Sequence, residues 1–140
     1  MSPHPEIIPI AYMHDSRSEF VGRHPHGQFF GDVVADPDWF TSQTKHTVTV
    51  VLHLFDADGH HTGSEFMPGI ADRAVAREAL EGLIGALGPS TREDIAVRLF
   101  TLKAHGRVWG LMECEANRDW VDLEPEDLAF SAPWDGSYSS

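Results

Sequence analysis

The segment that most constrains the fold is residues 46–55, whose alternating side chains predict a β-strand. One side of this extended chain carries only aliphatic residues, namely Val48, Val50, Leu52 and Leu54. The loop at 56–59 ends in a glycine, which can adopt the positive φ of a hairpin turn. We therefore predict a β-hairpin whose polar return strand, residues 61–67, lies at the edge of a sheet.

Residues 71–87 are predicted to form the principal helix. Their apolar side chains recur at helical spacing, at Val75, Ala79, Leu80, Leu83, Ile84 and Leu87. Asp72 suits the positive end of this helix, and a Gly-Pro pair at 88–89 ends it. Gly82 and Gly85 each lower helix propensity by about 1 kcal/mol relative to alanine. We interpret these two glycines as sites of close packing against the sheet.

Shorter strands are predicted before and after the helix, at residues 28–34, 95–100, 108–114 and 120–123. His105 and Gly106 form a two-residue turn within the second hairpin. Hairpins on both sides of one helix predict an α+β fold, with a mainly antiparallel sheet of four to six strands and one principal helix packed on one face. The expected organisation is an extended N-terminal arm (1–26), a single α+β domain (27–130) and a C-terminal tail (131–140).

The charge of the chain restricts its partners. Its 140 residues include 22 acidic and 10 basic side chains, a formal net charge of −12. Such a surface repels nucleic-acid phosphate and anionic lipid, so we expect neither nucleic acid nor a membrane as a partner. The single cysteine, Cys114, precludes an internal disulfide and, with no recognisable signal peptide, favours the cytoplasm. An exposed sheet edge would permit a homodimer, and the oligomeric state stays open.

Signature motifs of catalysis are missing from the sequence. It has no phosphate-cradling loop, no dinucleotide-binding turn, no nucleophile elbow and no His-Glu pair of the zinc hydrolases. Ser64 and His53 could be drawn into a hydrolytic triad, but His53 lies in an alternating strand and fits a hydrogen-bonded, half-buried residue better. These observations favour a binding protein over an enzyme.

Two histidine pairs provide an alternative, a small metal-dependent enzyme. His24 and His26 form one pair, and His60 and His61 form the other. Imidazole is a common ligand of zinc and other transition metals, which require three or four such groups. A shared site would require the N-terminal arm to fold over the first hairpin, and no other cofactor is expected.

The strongest functional signal is an acidic run at residues 113–127, with seven carboxylates against one arginine. Carboxylates around an aromatic side chain make a docking face for a basic protein. The candidate partner-binding residues are Glu113, Glu115, Asp119, Trp120, Asp122 and Glu124. We therefore expect a soluble acidic binding or regulatory module, such as an immunity-type protein that engages a basic partner.

A further alternative is a small-molecule binder with an aromatic pocket. Its apolar wall would come from four side chains near the first predicted strand, those of Phe29, Phe30, Trp39 and Phe40.

Three short segments resemble those of small uncharacterised bacterial proteins, some of which carry a formylmethionine-deformylase-like label. The segments are Asp-Ile-Ala-Val-Arg-Leu-Phe at 94–100, Gly-Leu-Met-Glu at 110–113 and Pro-Trp-Asp-Gly at 133–136. The resemblance spans roughly residues 46–138 and implies a bacterial source. It brings no catalytic residues, because deformylase chemistry resembles a metal site on a His-Glu-x-x-His helix and this sequence contains none.

Overall fold

The computed structural model describes residues 4–37 and 46–139. Within these ranges the chain forms one helix, α1 (Arg73–Gly85), and eleven strands. The strands are β1 (Ile8–Ile10), β2 (Phe20–His24), β3 (Gly27–Ala35), β4 (Val48–Phe55), β5 (His61–Ile70), β6 (Thr91–Arg92), β7 (Ile95–Val97), β8 (Phe100–Ala104), β9 (Arg107–Glu113), β10 (Val121–Glu124) and β11 (Leu128–Phe130). No helix in these ranges is long and apolar enough to cross a membrane.

The central layer is a five-stranded sheet in the order β5-β4-β3-β2-β6, with every neighbouring pair antiparallel. β4 is buried along almost its whole length, because its strictly alternating side chains face packed layers on both sides. β5 lies at the edge of the sheet and is half-buried or exposed throughout, as its polar sequence predicts.

Helix α1 covers one face of this sheet. Asp72 caps the helix, since its Oδ1 accepts hydrogen bonds from the backbone N–H of Ala74 at 2.8 Å and Val75 at 3.4 Å. The buried face of the helix packs onto apolar side chains of β3 and β4, in a cluster that includes Ala76, Leu80, Ile84, Phe29, Val50 and Leu52. The predicted α+β fold, with one principal helix packed against a mainly antiparallel sheet, is therefore confirmed.

The interpretation of the two helix glycines is wrong. A Cβ added to Gly82 or Gly85 would meet nothing within 4 Å, so neither residue serves close packing. The close approach lies on the sheet instead, where a Cβ on Gly31 would lie 2.7 Å from Leu80 Cδ1. The helix and the sheet therefore come close at Gly31 of β3, and not at Gly82 or Gly85.

We expect Gly82→Ala and Gly85→Ala each to raise the free energy of unfolding by about 0.5–1 kcal/mol, because alanine restricts the unfolded chain and its methyl group has room. Gly31→Ala serves as the opposite case and should destabilise the protein, since its methyl group would displace Leu80. Urea denaturation monitored by circular dichroism measures all three variants. A loss of stability in both helix variants would contradict the prediction.

Two smaller sheets cover the other face of the central sheet. β1 pairs with β7, and the remaining four strands form a sheet in the order β11-β10-β9-β8. Their apolar side chains pack with three from the central sheet, those of Val21, Phe30 and Phe55, to form a second core. The second core also contains Ile8, Ile10, Ile95, Val97, Leu111, Val121, Leu123, Leu128 and Phe130. The domain is thus layered as helix, central sheet and outer sheets.

The segment 95–100, predicted as one strand, is divided between two sheets. β7 pairs with β1, whereas β8 pairs with β9. Between them the backbone N–H of Arg98 donates to the carbonyl of Gly59 at 2.8 Å, and its side-chain Nε donates to the carbonyl of Asp58 at 3.0 Å. At Arg98 the chain therefore hydrogen-bonds to the β4–β5 loop instead of to a neighbouring strand. Beyond this point it enters the four-stranded sheet as β8.

The segments predicted as an arm and a tail contribute to the central sheet, to an outer sheet and to the second core between them. Residues 1–26 include β1 and β2, each paired within a sheet. In the predicted tail, Trp134 and Tyr138 pack against the second core. Tyr138 also accepts, through its hydroxyl oxygen, a hydrogen bond from the backbone N–H of Arg17 at 3.0 Å. This contact fixes the loop between β1 and β2 on the surface of the domain.

Candidate functional site

A pocket of about 450 Å³ lies beside the second half of β3. β2 begins at Phe20, opposite Gly31, so residues 32–35 of β3 have no neighbouring strand on that side among the described residues. The gap is bordered by the β1–β2 loop, the first turns of α1 and the β10–β11 turn. Its polar lining comprises Ser16, Arg17, Asp32, Arg73, Arg77 and Glu126, which together with the apolar lining we call the arginine pocket.

Asp32 is the charged carboxyl of this pocket. Its Oδ2 accepts a hydrogen bond from Arg17 Nη2 at 3.0 Å, and its Oδ1 accepts one from the backbone N–H of Val33 at 2.7 Å. Burial raises the pKa of Asp32, and the Arg17 guanidinium acts in the opposite direction. Two donors therefore stabilise the ionised form of Asp32 against the effect of its burial.

Glu126, in the β10–β11 turn, differs sharply from Asp32. It is only 7% exposed, and neither of its carboxyl oxygens has a hydrogen-bond partner among the described residues. Burial, and next the charge of Asp32, raise the pKa of Glu126 to about 8, although its own backbone N–H and Arg17 act in the opposite direction. Glu126 is therefore mainly protonated at neutral pH and presents a neutral carboxyl group.

The two arginines of α1 both line the pocket, but only Arg77 forms an ion pair among the described residues. Arg77 Nη2 donates to Glu19 Oε1 at 3.1 Å, and its guanidinium lies 4.9 Å from the centre of the Phe20 ring. Arg73 forms no ion pair within residues 4–37 and 46–139. Its five N–H donors are therefore available to a ligand.

The arginine pocket has the opposite charge to the protein as a whole. With Glu126 neutral, its lining carries three arginines, of which Arg17 is paired with Asp32 and Arg77 with Glu19, so Arg73 is the one that supplies an uncompensated positive charge. Three of the ten basic residues of the chain thus meet at one pocket of a protein whose net charge is −12. Such a local field favours an anionic ligand and steers it away from the acidic remainder of the surface.

The six predicted partner-binding residues are distributed over two faces of the outer sheet. Glu113 lies directly opposite the inward-facing Val121, and its Oε1 lies 3.0 Å from His4 Nε2. The hydrogen bond to the Pro5 carbonyl, and to a smaller extent Glu113, raise the pKa of His4 although its burial lowers it, so these contacts favour a charged His4 beside Glu113. Asp122 and Glu124 alternate with buried residues of β10 and point to the opposite face. Glu115, Asp119 and the 39% exposed Trp120 lie in the β9–β10 loop.

The four predicted histidine ligands do not meet at one point. The rings of His24 and His26 have centroids 6.2 Å apart, and His61 Nε2 lies 2.8 Å from Ser64 Oγ. Metal-ligating atoms come within 4.8 Å of one another in two groups of the described chain, and only the group of Asp56, Asp58 and His60 contains one of the four. That group is explained by the turn itself, because Asp56 accepts the backbone N–H groups of the other two residues at 2.9 Å each.

The aromatic side chains proposed to line a pocket are separated by the sheet. Phe29 packs in the core beneath α1, and Phe30 packs in the second core on the opposite face. Adjacent residues of a strand point to opposite faces, so the two rings cannot line one pocket. Trp39 and Phe40 lie outside the described residues.

His53 is a buried core residue. It is fully buried in β4, its Nδ1 lies 2.6 Å from Ser64 Oγ, and its Nε2 has no partner in the described part of the chain. Its ring packs among aromatic neighbours, with centroid distances of 5.0 Å to Phe100 and 6.5 Å to Trp109. Burial, and next the nearby His61, lower the pKa of His53 to about 3. A histidine this weakly basic is a poor general base for Ser64.

Comparisons with protein-family models, curated proteins and solved structures found no match to this chain. The arginine pocket is therefore the feature from which a function can be inferred. In the sequence Glu126 is one of seven carboxylates in the acidic run at 113–127, and no pattern connects it with Arg17, Asp32 or Arg73. No local signal distinguishes these residues, because their proximity arises from four separate parts of the chain.

Proposed function

We propose that the protein binds a small organic anion in the arginine pocket. The observation that carries this proposal is a buried carboxyl group, Glu126, whose oxygens have no partner among the described residues and which lines a pocket together with three arginines. Buried polar groups in native proteins are almost always hydrogen-bonded, and a group without a partner calls for an explanation. A ligand that displaces part of the lining, since both oxygens are shielded from solvent, would supply the missing partner.

The chemistry of the lining supports a carboxylate or phosphate group over a cationic or uncharged one. Arg73 offers a planar guanidinium, which matches the geometry of both anionic groups. A neutral Glu126 adds an O–H donor to the same pocket. The apolar part of the wall, from Phe20, Val33, Val34 and Pro125, suits an organic ligand rather than a bare inorganic ion.

This proposal belongs to the class of small-molecule binders, with a different pocket from the aromatic one that the sequence indicated. A docking face for a basic protein is less well supported, because Glu113 is paired with His4 and the candidate residues point to two faces. A shared site for the four histidines lacks support from the positions of their rings.

The proposal predicts that ligand charge decides binding. Benzoate, benzamide and benzylamine share one ring and differ in charge, so calorimetric titration of the three at pH 6 isolates the effect. We expect benzoate to bind, together with other members of an anion panel such as succinate and phenyl phosphate. Arg73→Gln should weaken this binding by about 10- to 100-fold, the value of one or two charge-assisted hydrogen bonds.

Arg118→Gln is the matched control. Arg118 is exposed in the β9–β10 loop and does not line the pocket. The variant therefore makes the same change in net charge and leaves every hydrogen-bond donor of the pocket in place. It should bind benzoate like the unmodified protein. Failure of every anion to bind, or preferred binding of benzylamine, would overturn the proposed function.

A further inference from the structure

We propose that the anion binds in the arginine pocket together with a proton, which is held between Glu126 and an oxygen of the ligand. This inference rests on the proposed function and specifies how the same pocket is regulated. It concerns the contact that the ligand makes with the buried carboxyl group, rather than the contact with the arginines.

The side chains around Glu126 give its ionised form little stabilisation. The β1–β2 loop presents Arg17, whose Nη2 is already engaged by Asp32 of β3. Helix α1 presents Arg73 and Arg77, and the latter is paired with Glu19. The end of β10 and the turn that follows it add the acidic groups Glu124 and Asp127. None of these groups donates a hydrogen bond to Glu126 within the described residues.

A ligand anion strengthens the preference of Glu126 for its proton. Two anionic oxygens cannot approach to hydrogen-bond distance unless a proton lies between them, and the resulting O–H···O⁻ bond is short and strong. The negative charge of the ligand therefore raises the pKa of Glu126 beyond about 8. Above that pH each anion that binds must bring one proton from solution.

The consequence for affinity has a definite sign. At pH 6 Glu126 already holds its proton, so binding transfers none. At pH 9.5 Glu126 is ionised, and the dissociation constant for benzoate should be about 30-fold higher than at pH 6 if only the neutral form binds. A cationic ligand would show the reverse, since it would favour the ionised carboxylate and release the proton.

Calorimetric titration of benzoate at pH 9.5 in two buffers of different ionisation enthalpy counts the protons directly. We expect uptake of nearly one proton per benzoate at pH 9.5 and of none at pH 6. Carboxyl ¹³C NMR provides a second readout, in which saturating benzoate should shift the titration of Glu126 to higher pH.

Glu126→Gln removes the carboxyl group that binds the proton but keeps a hydrogen-bond donor, the N–H of the amide. This variant should bind benzoate several-fold more weakly at pH 6, and its affinity should not change up to pH 9.5. Glu115→Gln makes the same charge change at an exposed position and should keep the full pH dependence. Benzoate binding without proton uptake would overturn this inference and leave the proposed function intact. No binding by any anion at pH 6 would overturn both.

Discussion

Glu126→Gln is expected to raise the free energy of unfolding by about 3 kcal/mol at pH 7 and by nearly 5 kcal/mol at pH 9. The reason is that the unfolded chain ionises this carboxyl group at its ordinary pKa of 4.5, whereas the folded protein resists ionisation up to about pH 8. Glutamine has a similar shape and no such equilibrium, so the variant avoids the penalty.

The pH dependence follows from the direction of the shift. Below pH 4.5 both states hold the proton, and the two proteins should be equally stable. Between pH 4.5 and 8 only the folded state holds it, so rising pH destabilises the unmodified protein by about 1.4 kcal/mol per unit. Above pH 8 both states are ionised and the difference between the proteins becomes constant.

Urea denaturation at a series of pH values from 4 to 9 tests this prediction. Glu115→Gln is the control, because an exposed substitution should change stability by less than about 0.5 kcal/mol at every pH. If the stability curves of Glu126→Gln and the unmodified protein run parallel across this range, Glu126 is ionised like a surface residue and the electrostatic description of the pocket is wrong.

A side chain that weakens the fold where a ligand would bind is consistent with a binding site. Folded proteins are stable by roughly 5–15 kcal/mol, so the penalty at Glu126 is a large fraction of the total. A glutamine would avoid this penalty at no cost in packing. Sites that depart from the rules of stable folding tend to be functional ones, because function constrains the residue there.

Local patterns were sufficient to predict the central elements of the fold. The alternation in 46–55 predicted β4, and the apolar stripe in 71–87 predicted α1 with Asp72 at its start. Each of these signals is complete within one segment. The division of 95–100 was not predictable in this way, because it depends on the carbonyl groups of Gly59 and Asp58 in a distant loop.

The candidate site could not be predicted from the sequence either, because it also depends on contacts between distant parts of the chain. Glu126 stands among seven carboxylates at 113–127, and its neighbours Pro125 and Asp127 suggest an exposed turn. Its burial arises only when that turn packs against Arg17 and Asp32, more than ninety positions earlier in the chain. Sequence identifies which residues are ionisable, but the contacts made in the tertiary structure determine which of them are unusual.

His53→Phe is expected to protect the protein against acid. The unfolded chain takes up a proton on His53 at the ordinary pKa of 6.5, whereas the buried ring resists protonation down to about pH 3. Because the pKa is lower in the folded state, stability contributed by His53 is complete above pH 6.5 and is lost as the pH falls toward 3. The loss amounts to about 3 kcal/mol at pH 4.5.

Phenylalanine fits the site of His53, because four aromatic rings already surround it and Ser64 keeps His61 as a hydrogen-bond partner. At pH 7 the variant should differ from the unmodified protein by less than about 1.5 kcal/mol. At pH 4.5 it should be the more stable protein. His46→Gln alters an exposed histidine and should follow the unmodified protein at every pH, and equal acid sensitivity of His53→Phe would contradict the prediction.

The two substitutions together make a stricter test, because their effects have opposite signs. Between pH 4.5 and 6.5 the contributions of His53 and Glu126 cancel, so these two groups produce a plateau of stability that falls in acid and in alkali. Glu126→Gln alone should convert the plateau into a rise up to pH 6.5, and His53→Phe alone should convert it into a fall up to pH 8. His53 contacts Ser64 and a group of aromatic rings, whereas Glu126 lines the arginine pocket, so the two share no partner and the double variant should lose both slopes additively. A plateau that persists in either single variant would show that other groups control the pH dependence of folding.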